Sequence, residues 1–509
     1  MIFFSRLLLI RRLRRKRKII QAYRSLKENK KLDLILSIRH SILADSLRNL
    51  KERNIFLSDE EIEFEIRKFL YIKLLKFKFN EALLVTIAEN SRLRYPLPIV
   101  WQKTLRRYNL KVDFLSSTFL WFLYSLLFFI KESIKFYIDL LTIRPTKEEK
   151  KFIYFDELPK DSINPLERNI VNWYLSRKNA KKNEYLIFHN NKEIEINQTS
   201  DYSLILNKGF PNLSRISFLK FLIFSSFHSL KTLISFNPLL IFINYECLKF
   251  YRFRYSNQRH LGDYVFNNSS FLYRPIWTFA AERMGGNIVF YFYSVNNQGF
   301  KYYGKNVKSV WDFVRWPNYL VWDKYQKSFV ESFDSSQKNI EITGLIDYSC
   351  SYKKIDIPKQ SIALFDVTPF RLSEYIKFGL APEYYVYSVS KKFFDDILSE
   401  TKNKNLTLIH KYKRKHNFFD KRYLSMIKEL SKMKNFINVN EDIDASFIIK
   451  NVTAVISMPY TSTAIIAREL GKPSIYYDSV GASKKMKSFH GIPILTSPEE
   501  LKKWMEEFL

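Results

Sequence analysis

Three adjacent hydroxyls and a carboxylate raise the first chemical question. Thr461, Ser462 and Thr463 close the turn Ser457-Met458-Pro459-Tyr460-Thr461-Ser462-Thr463, and Glu469 follows six to eight residues later. The β-branched run Val452 to Ile456 ahead of the turn predicts a strand. Ala464 to Leu470 predicts a helix, with Gly471 at its C-cap and Pro473 blocking continuation. Ser474 to Tyr477 then reads as a second strand. A β-turn-α-β unit of this kind gathers hydroxyls and unpaired backbone N–H groups at a helix N-terminus, a natural anion site. At 1.5 Å per residue Glu469 stands about 9–12 Å further along the axis. A phosphate at the turn and a ribose diol at the carboxylate span such a gap. An ordinary α/β crossover with a Ser/Thr N-cap has the same spacing.

The elements that must position this turn alternate regularly. Strands are expected at 361–365, 406–410 and 436–439, with helices at 384–400, 420–433 and 444–450, before the focal unit. A short strand at 494–495 and a helix at 498–508 come after it. Such alternation implies a parallel sheet wound on both faces, with its ligand at the carboxyl ends of the strands. Two more polar loops fall at those ends: Asp366 to Arg371, and His410 to His416 with four cations. Three loops converging on one edge make one site.

The stretch SMPYTSTAIIARELGKPSIYYD resembles the signature of bacterial polysaccharide-biosynthesis proteins named for a Pro-Phe-Thr-Ser motif, with Tyr460 in place of the Phe. More broadly it is similar to the nucleotide-binding half of GT-B glycosyltransferases, including sialyl- and Kdo-transferase relatives. The resemblance is sharp over 451–478, looser over about 260–480, and lacking in the first 90 residues. RYPLPIVWQKTLRRYNLKVDFLSSTFLW resembles the family's entry segment. The implied fold is α/β and GT-B-like, two Rossmann-like domains facing across a cleft, behind a helical basic N-terminal extension. The expected divisions are 1–90 for the extension, 91–347 for the acceptor-side domain and 361–509 for the nucleotide-sugar domain.

The resemblance implies that His410, Lys411, Lys413, Arg414, Ser457, Thr461, Ser462 and Thr463 hold the donor phosphates, and Glu469 the ribose. Cations beside a departing pyrophosphate stabilise the charge that develops there, without a metal; a solvated basic loop in a basic protein is the alternative. An acceptor hydroxyl needs a general base, for which Asp263, Glu282 and Asp366 are candidates, with Glu246 behind them. Arg274 and Trp277 are candidates to bind an acceptor sugar, although an aromatic beside a helix is usually core. Asp442-Ile-Asp444 has the form of a metal motif, but Asp444 precedes a helix where it serves as N-cap. No metal and no cofactor are expected. The two cysteines, Cys247 and Cys350, form no metal-ligand spacing, and a reducing cytoplasm fits them.

Among 509 residues, 83 Lys and Arg stand against 51 Asp and Glu, a net charge of +32 that favours anionic partners. Twelve of the cations lie in residues 1–31 beside one acid. That extension reads as a helix lying on an anionic membrane surface, or as a solvated basic helix. Phe114 to Ile130 is a run of seventeen uncharged residues, short for a span and interrupted by Ser116, Ser117, Thr118 and Ser125. An interfacial or buried helix suits it better. Pro238 to Tyr245 reads as a buried strand.

The resulting expectation is a metal-independent glycosyltransferase of surface-polysaccharide assembly, held peripherally at the inner membrane face. Its partners would be a nucleotide-activated sugar, a polysaccharide or lipid-linked glycan acceptor, and the anionic membrane surface. A nucleic-acid-binding protein is the rival from another class, but no binding module is recognisable. A catalytically inactive GT-B scaffold is the second rival.

Overall fold

A computed structural model describes residues 15, 17–26, 32–48, 60–75, 77–141, 151–156, 158, 170–179, 185–189, 203–206, 213–256, 262–267, 272–294, 310–333, 339–346, 355–371, 384–402, 404–412, 419–440, 443–482 and 488–508. Two seven-stranded sheets organise them. The first contains β1 (Lys151–Phe155), β2 (Tyr185–His189), β3 (Ser203–Leu206), β4 (Asp263–Asn267), β5 (Asn287–Tyr291), β6 (Asn318–Val321) and β7 (Asn339–Ile342). Its order is β3-β2-β1-β4-β5-β6-β7, parallel throughout. The second contains β8 (Ser361–Phe365), β9 (Thr407–Lys411), β10 (Phe436–Val439), β11 (Ala454–Ser457), β12 (Ser474–Tyr477), β13 (Ser488–Phe489) and β14 (Ile492–Leu495). Its order is β10-β9-β8-β11-β12-β14-β13, with only the β13–β14 edge antiparallel.

β8 and β11 are buried along their whole length. Helices cover both faces of a doubly wound sheet, so its central strands read as continuous apolar runs. The strand order reverses between β1 and β4 in the first sheet and between β8 and β11 in the second. Ligand crevices open at such reversals, outside the carboxyl ends of the strands. The α/β, GT-B-like fold class that the resemblance implied is the one observed.

The N-terminal helices are α1 (residues 17–26), α2 (Leu32–Arg48), α3 (Glu60–Leu74), α4 (Phe77–Glu89), α5 (Ile99–Arg107) and α6 (Phe114–Leu141). Ile19 and Leu26 of α1, Ile38 and Ile42 of α2, and Ile62, Ile66 and Phe69 of α3 belong to the same apolar core as the first sheet. Arg15 and Lys18 pair with Glu81 and Glu89 on α4. This part of the basic segment is therefore built into the fold and is not an appendage; residues 1–14 and 16 lie outside the described residues.

Pro238 to Tyr245 is not a strand but the start of a helix. α7 (Ile170–Arg177) and α8 (Arg215–Ile234) precede it, and it forms α9 (Pro238–Arg254). Asn237 caps α9, accepting from the N–H of Leu239 at 2.9 Å, and Pro238 fills the first turn. Burial on nearly all sides makes the run continuously apolar, a pattern periodicity cannot separate from a buried strand. α10 (Trp277–Arg283) and α11 (Lys324–Phe333) complete the first half.

Candidate functional site

The hydroxyl turn sits at the reversal of the second sheet, between the carboxyl ends of β8 and β11. Met458 N–H donates to the Phe365 carbonyl at 2.8 Å, tying the turn to β8. Tyr460 holds a φ of +64°, a left-handed conformation costly for an aromatic residue. Its buried ring packs against Phe489 at 4.7 Å. Burial, then the Asp478 charge, push its hydroxyl up to about 12. The Tyr476 hydroxyl donates to the Thr461 carbonyl at 2.9 Å and fixes the next residue. The aromatic in the motif's second position is thus an anchor that holds a strained turn.

Thr461 occupies the N-cap of the helix Ser462–Glu469, yet its hydroxyl donates to the Met458 carbonyl at 3.0 Å instead of capping the helix. Ser457, Thr463 and Thr461 form a chain of hydroxyl contacts of 3.0 and 3.2 Å. With no side-chain cap from Thr461, the first-turn N–H groups are the natural seat for an anion. Glu469 is 46% exposed at the other end of this helix, where the guanidinium of Arg468 pairs with it.

His410 and Asp366 are placed differently from the expectation that His410 meets a phosphate. Both are buried. His410 Nε2 lies 3.2 Å from Asp366 Oδ1 and 3.4 Å from the Tyr423 hydroxyl, and its Nδ1 lies 2.8 Å from the Asn438 side-chain oxygen. Burial, then the Asp366 charge, push that tyrosine well above its ordinary range. The cluster is an internal polar support beneath the loops after β8 and β9. Lys411 is nearly buried at the end of β9; Lys413, Arg414 and Asp442 lie outside the described residues. Asp444 is an N-cap, accepting from the Ser446 N–H at 2.8 Å.

The first-half candidates are not brought to the cleft edge. Asp263 opens β4, at the amino edge of the sheet, where it accepts from Asn287 at 2.7 Å and pairs with Lys178 at 3.0 Å. Glu282 ends α10 and pairs with Arg274. Arg274 is itself buried, donating to Thr278 at 3.0 Å with its guanidinium 3.8 Å from the Phe279 ring centre. Trp277 stacks on Phe253 at 4.5 Å in the core. Arg274 and Trp277 hold the domain together; their placement leaves no face for an acceptor sugar. Glu246 accepts from the Tyr273 hydroxyl at 2.5 Å.

Sequence reasoning missed two acids at the carboxyl edge of the first sheet. Asp156 directly follows β1, beside the reversal; its N–H donates to the Val265 carbonyl at 3.1 Å, and it accepts from the Tyr154 hydroxyl at 3.0 Å. Burial pushes its carboxyl up, the Tyr154 hydrogen bond and Lys249 oppose the rise, and Glu246 adds slightly to it. Its signal was its position after the strand KFIYF at 151–155, which the sequence alone did not single out.

Asp323 follows β6 and caps α11, accepting from the Gln326 N–H at 2.8 Å. Its other oxygen takes Arg468 at 3.0 Å and His490 at 2.9 Å, both from the second half. This junction stands next to Glu469. Burial alone would raise Asp323, but His490, the Gln326 N–H and Arg468 outweigh it and hold the carboxyl at about 2. Asp323→Asn is expected to cost about 1–3 kcal/mol of stability. A depressed folded-state pKa contributes stability above the unfolded value of about 3.9 that disappears as pH falls through the folded one. Unfolding midpoints measured across pH should therefore show wild type and Asp323→Asn converging between about pH 4 and 2. A constant gap over that window would refute this role.

A family model for "Polysaccharide biosynthesis PFTS motif protein" matches residues 222–505, more than half the chain. No curated protein matches the sequence. Among solved structures, the UDP-GlcNAc 2-epimerase from Methanocaldococcus jannaschii is similar at 9% identity and a TM-score of 0.39, covering 71% of this chain and 92% of its own. Anabaena Alr3699/HepE, solved with UDP and glucose, is similar at 8% identity and a TM-score of 0.38, covering 70% and 89%. The calicheamicin glycosyltransferase CalG4 is similar at 10% identity and a TM-score of 0.34, covering 70% and 89%. With the motif turn Met458-Pro459-Tyr460-Thr461-Ser462 at the sheet reversal and the matched region running from ahead of β4 through the whole second sheet, this chain belongs to the PFTS-motif family of polysaccharide biosynthesis proteins.

Proposed function

We propose that this protein is a metal-independent glycosyltransferase, moving a sugar from a nucleotide-activated donor to a growing surface polysaccharide or lipid-linked glycan at the inner face of the cytoplasmic membrane. The observation that carries the reading is the uncapped N-terminus of Ser462–Glu469, raised on a strained turn at the reversal of the second sheet. The donor diphosphate sits there, beside Lys411 at the end of β9. Glu469 receives the ribose hydroxyls, exchanging its contact with Arg468 for them. Asp156, at the matching reversal of the first sheet, takes the acceptor proton.

Binding of CMP-, UDP- and GDP-sugars by calorimetry, followed by donor hydrolysis or transfer in excess EDTA, tests the proposal. One nucleotide should bind, and its turnover should survive chelation. Binding without turnover would identify an inactive scaffold, and no binding of any nucleotide would end the donor-site reading. Glu469→Gln is expected to weaken nucleotide binding by about 1–3 kcal/mol, since its hydrogen bonds to ribose are charge-assisted. Unchanged affinity in a folded Glu469→Gln protein would remove the ribose role.

A further inference from the structure

Two helices on the first half carry large apolar residues on their outer faces. α6 turns Ser117, Ser125 and Ser133 inward beside Trp121, Phe129 and Phe136, all buried, and carries Leu115, Phe119, Leu127 and Ile134 outward, 55–81% exposed. α8 does the same, with Phe221, Ser225 and Thr232 buried and Ile216, Ile223, Phe227 and Ile234 60–72% exposed. A water-facing helix has the opposite polarity, whereas small residues toward the protein and large apolar ones outward are the arrangement of helices in lipid.

The structure lays the two helices side by side. Phe136 of α6 meets Phe221 of α8 at 6.0 Å, and the Tyr137 and Ser225 hydroxyls are 3.5 Å apart. Both rest on α9: Trp121 and Phe128 of α6 pack on Phe242 at 5.2 and 4.4 Å, and Ser229 of α8 meets Asn244 at 3.2 Å. Their outward residues form a single apolar face, about 35 Å long from Leu115 to Ile138 at 1.5 Å per residue and far beyond an isolated surface hydrophobe. The charged side chains exposed on these two helices are Lys131, Lys135, Arg215, Lys220 and Lys231, all cationic.

We infer that α6 and α8 together form a docking face that lies in the plane of one leaflet of an anionic lipid bilayer. Phe114–Asp139 is long and apolar enough to cross a membrane, but α6 is fastened along its length to α9, whose core contacts include buried Glu246 and Arg252. A span would pull those groups into hydrocarbon. A second copy on this face would set its four lysines and Arg215 against their own images, whereas anionic headgroups complement them. The inference deepens the membrane side of the proposed function and rests on that reading for its biological setting alone.

The test uses the full-length protein without donor, so its result is independent of nucleotide binding. Flotation with phosphatidylcholine vesicles containing phosphatidylglycerol should recover wild type. The α8 double variant Leu219→Glu/Phe227→Glu, altered only at exposed positions, should bind at least about tenfold more weakly and still unfold at the wild-type midpoint. In a Cys350→Ser background, fluorophores at Leu115→Cys and Ile138→Cys should report the same shallow depth and accessibility from the same side. Opposite-side accessibility would establish a span and overturn the in-plane placement. Unaltered vesicle binding by the α8 double variant would exclude α8 from the face. Sedimentation showing a wild-type dimer that this variant dissociates, with no vesicle binding by either, would assign the face to a second copy.

Discussion

Asp156→Asn should lower kcat by about 10²–10⁴-fold, the range a positioned general base contributes, while leaving nucleotide affinity unchanged. Asp156 is placed by the first sheet as Thr461 is by the second, just beyond the carboxyl end of a strand at the reversal of order. Its carboxyl is pushed upward by burial and by Glu246, and a base becomes more effective as its pKa approaches the working pH. The acidic limb of the wild-type rate profile should accordingly lie above the ordinary aspartate range, and the variant should lose that limb. Asp263→Asn is the control: it sits at the amino edge and should change turnover little in protein that folds. Full activity in Asp156→Asn would transfer the base to another group.

Lys68→Ala should destabilise the first half by about 3–5 kcal/mol, the cost of leaving one partner of a buried ion pair unmatched. Lys68 and Glu65 on α3 are both buried and 2.5 Å apart. Lys68 also donates to the Phe313 carbonyl at 2.9 Å, and Glu65 accepts from the Arg274 N–H at 2.8 Å. Burial pulls Lys68 down to about 8 and Glu65 upward, each toward its neutral form, with the partner's charge opposing. These bonds stitch α3 to segments more than 200 residues away in sequence. The double variant Glu65→Gln/Lys68→Met should recover much of the loss, because no unpaired charge remains. Chemical denaturation measures both. A loss under about 1 kcal/mol for Lys68→Ala would mean that α3 is not part of this core.

The amino-acid sequence by itself determined the second sheet and its turn. Strand 436–439 and helix 498–508 agree with the observed elements, and Thr461 does stand where a helix begins. Local signals suffice there, because each strand is a short apolar run, Asp420 and Asp444 cap the helices they precede, and Gly471 stops the helix of the turn. Tertiary structure alone decided the rest. Arg274, Trp277 and Glu282 have residue types suited to sugar chemistry, yet Thr278, Phe253 and each other consume them. His410 stands at a strand end, but burial gives it to Asp366 and Asn438. Asp156 carries no motif, and only the pairing of β1 with β4 places it at the reversal. α9 resembled a strand because all-round burial erases the helical period. The polarity of α6 and α8 likewise depends on which face meets α9. Spacing along one chain records what a residue is able to do, and packing against distant segments fixes whether that group is left free to do it.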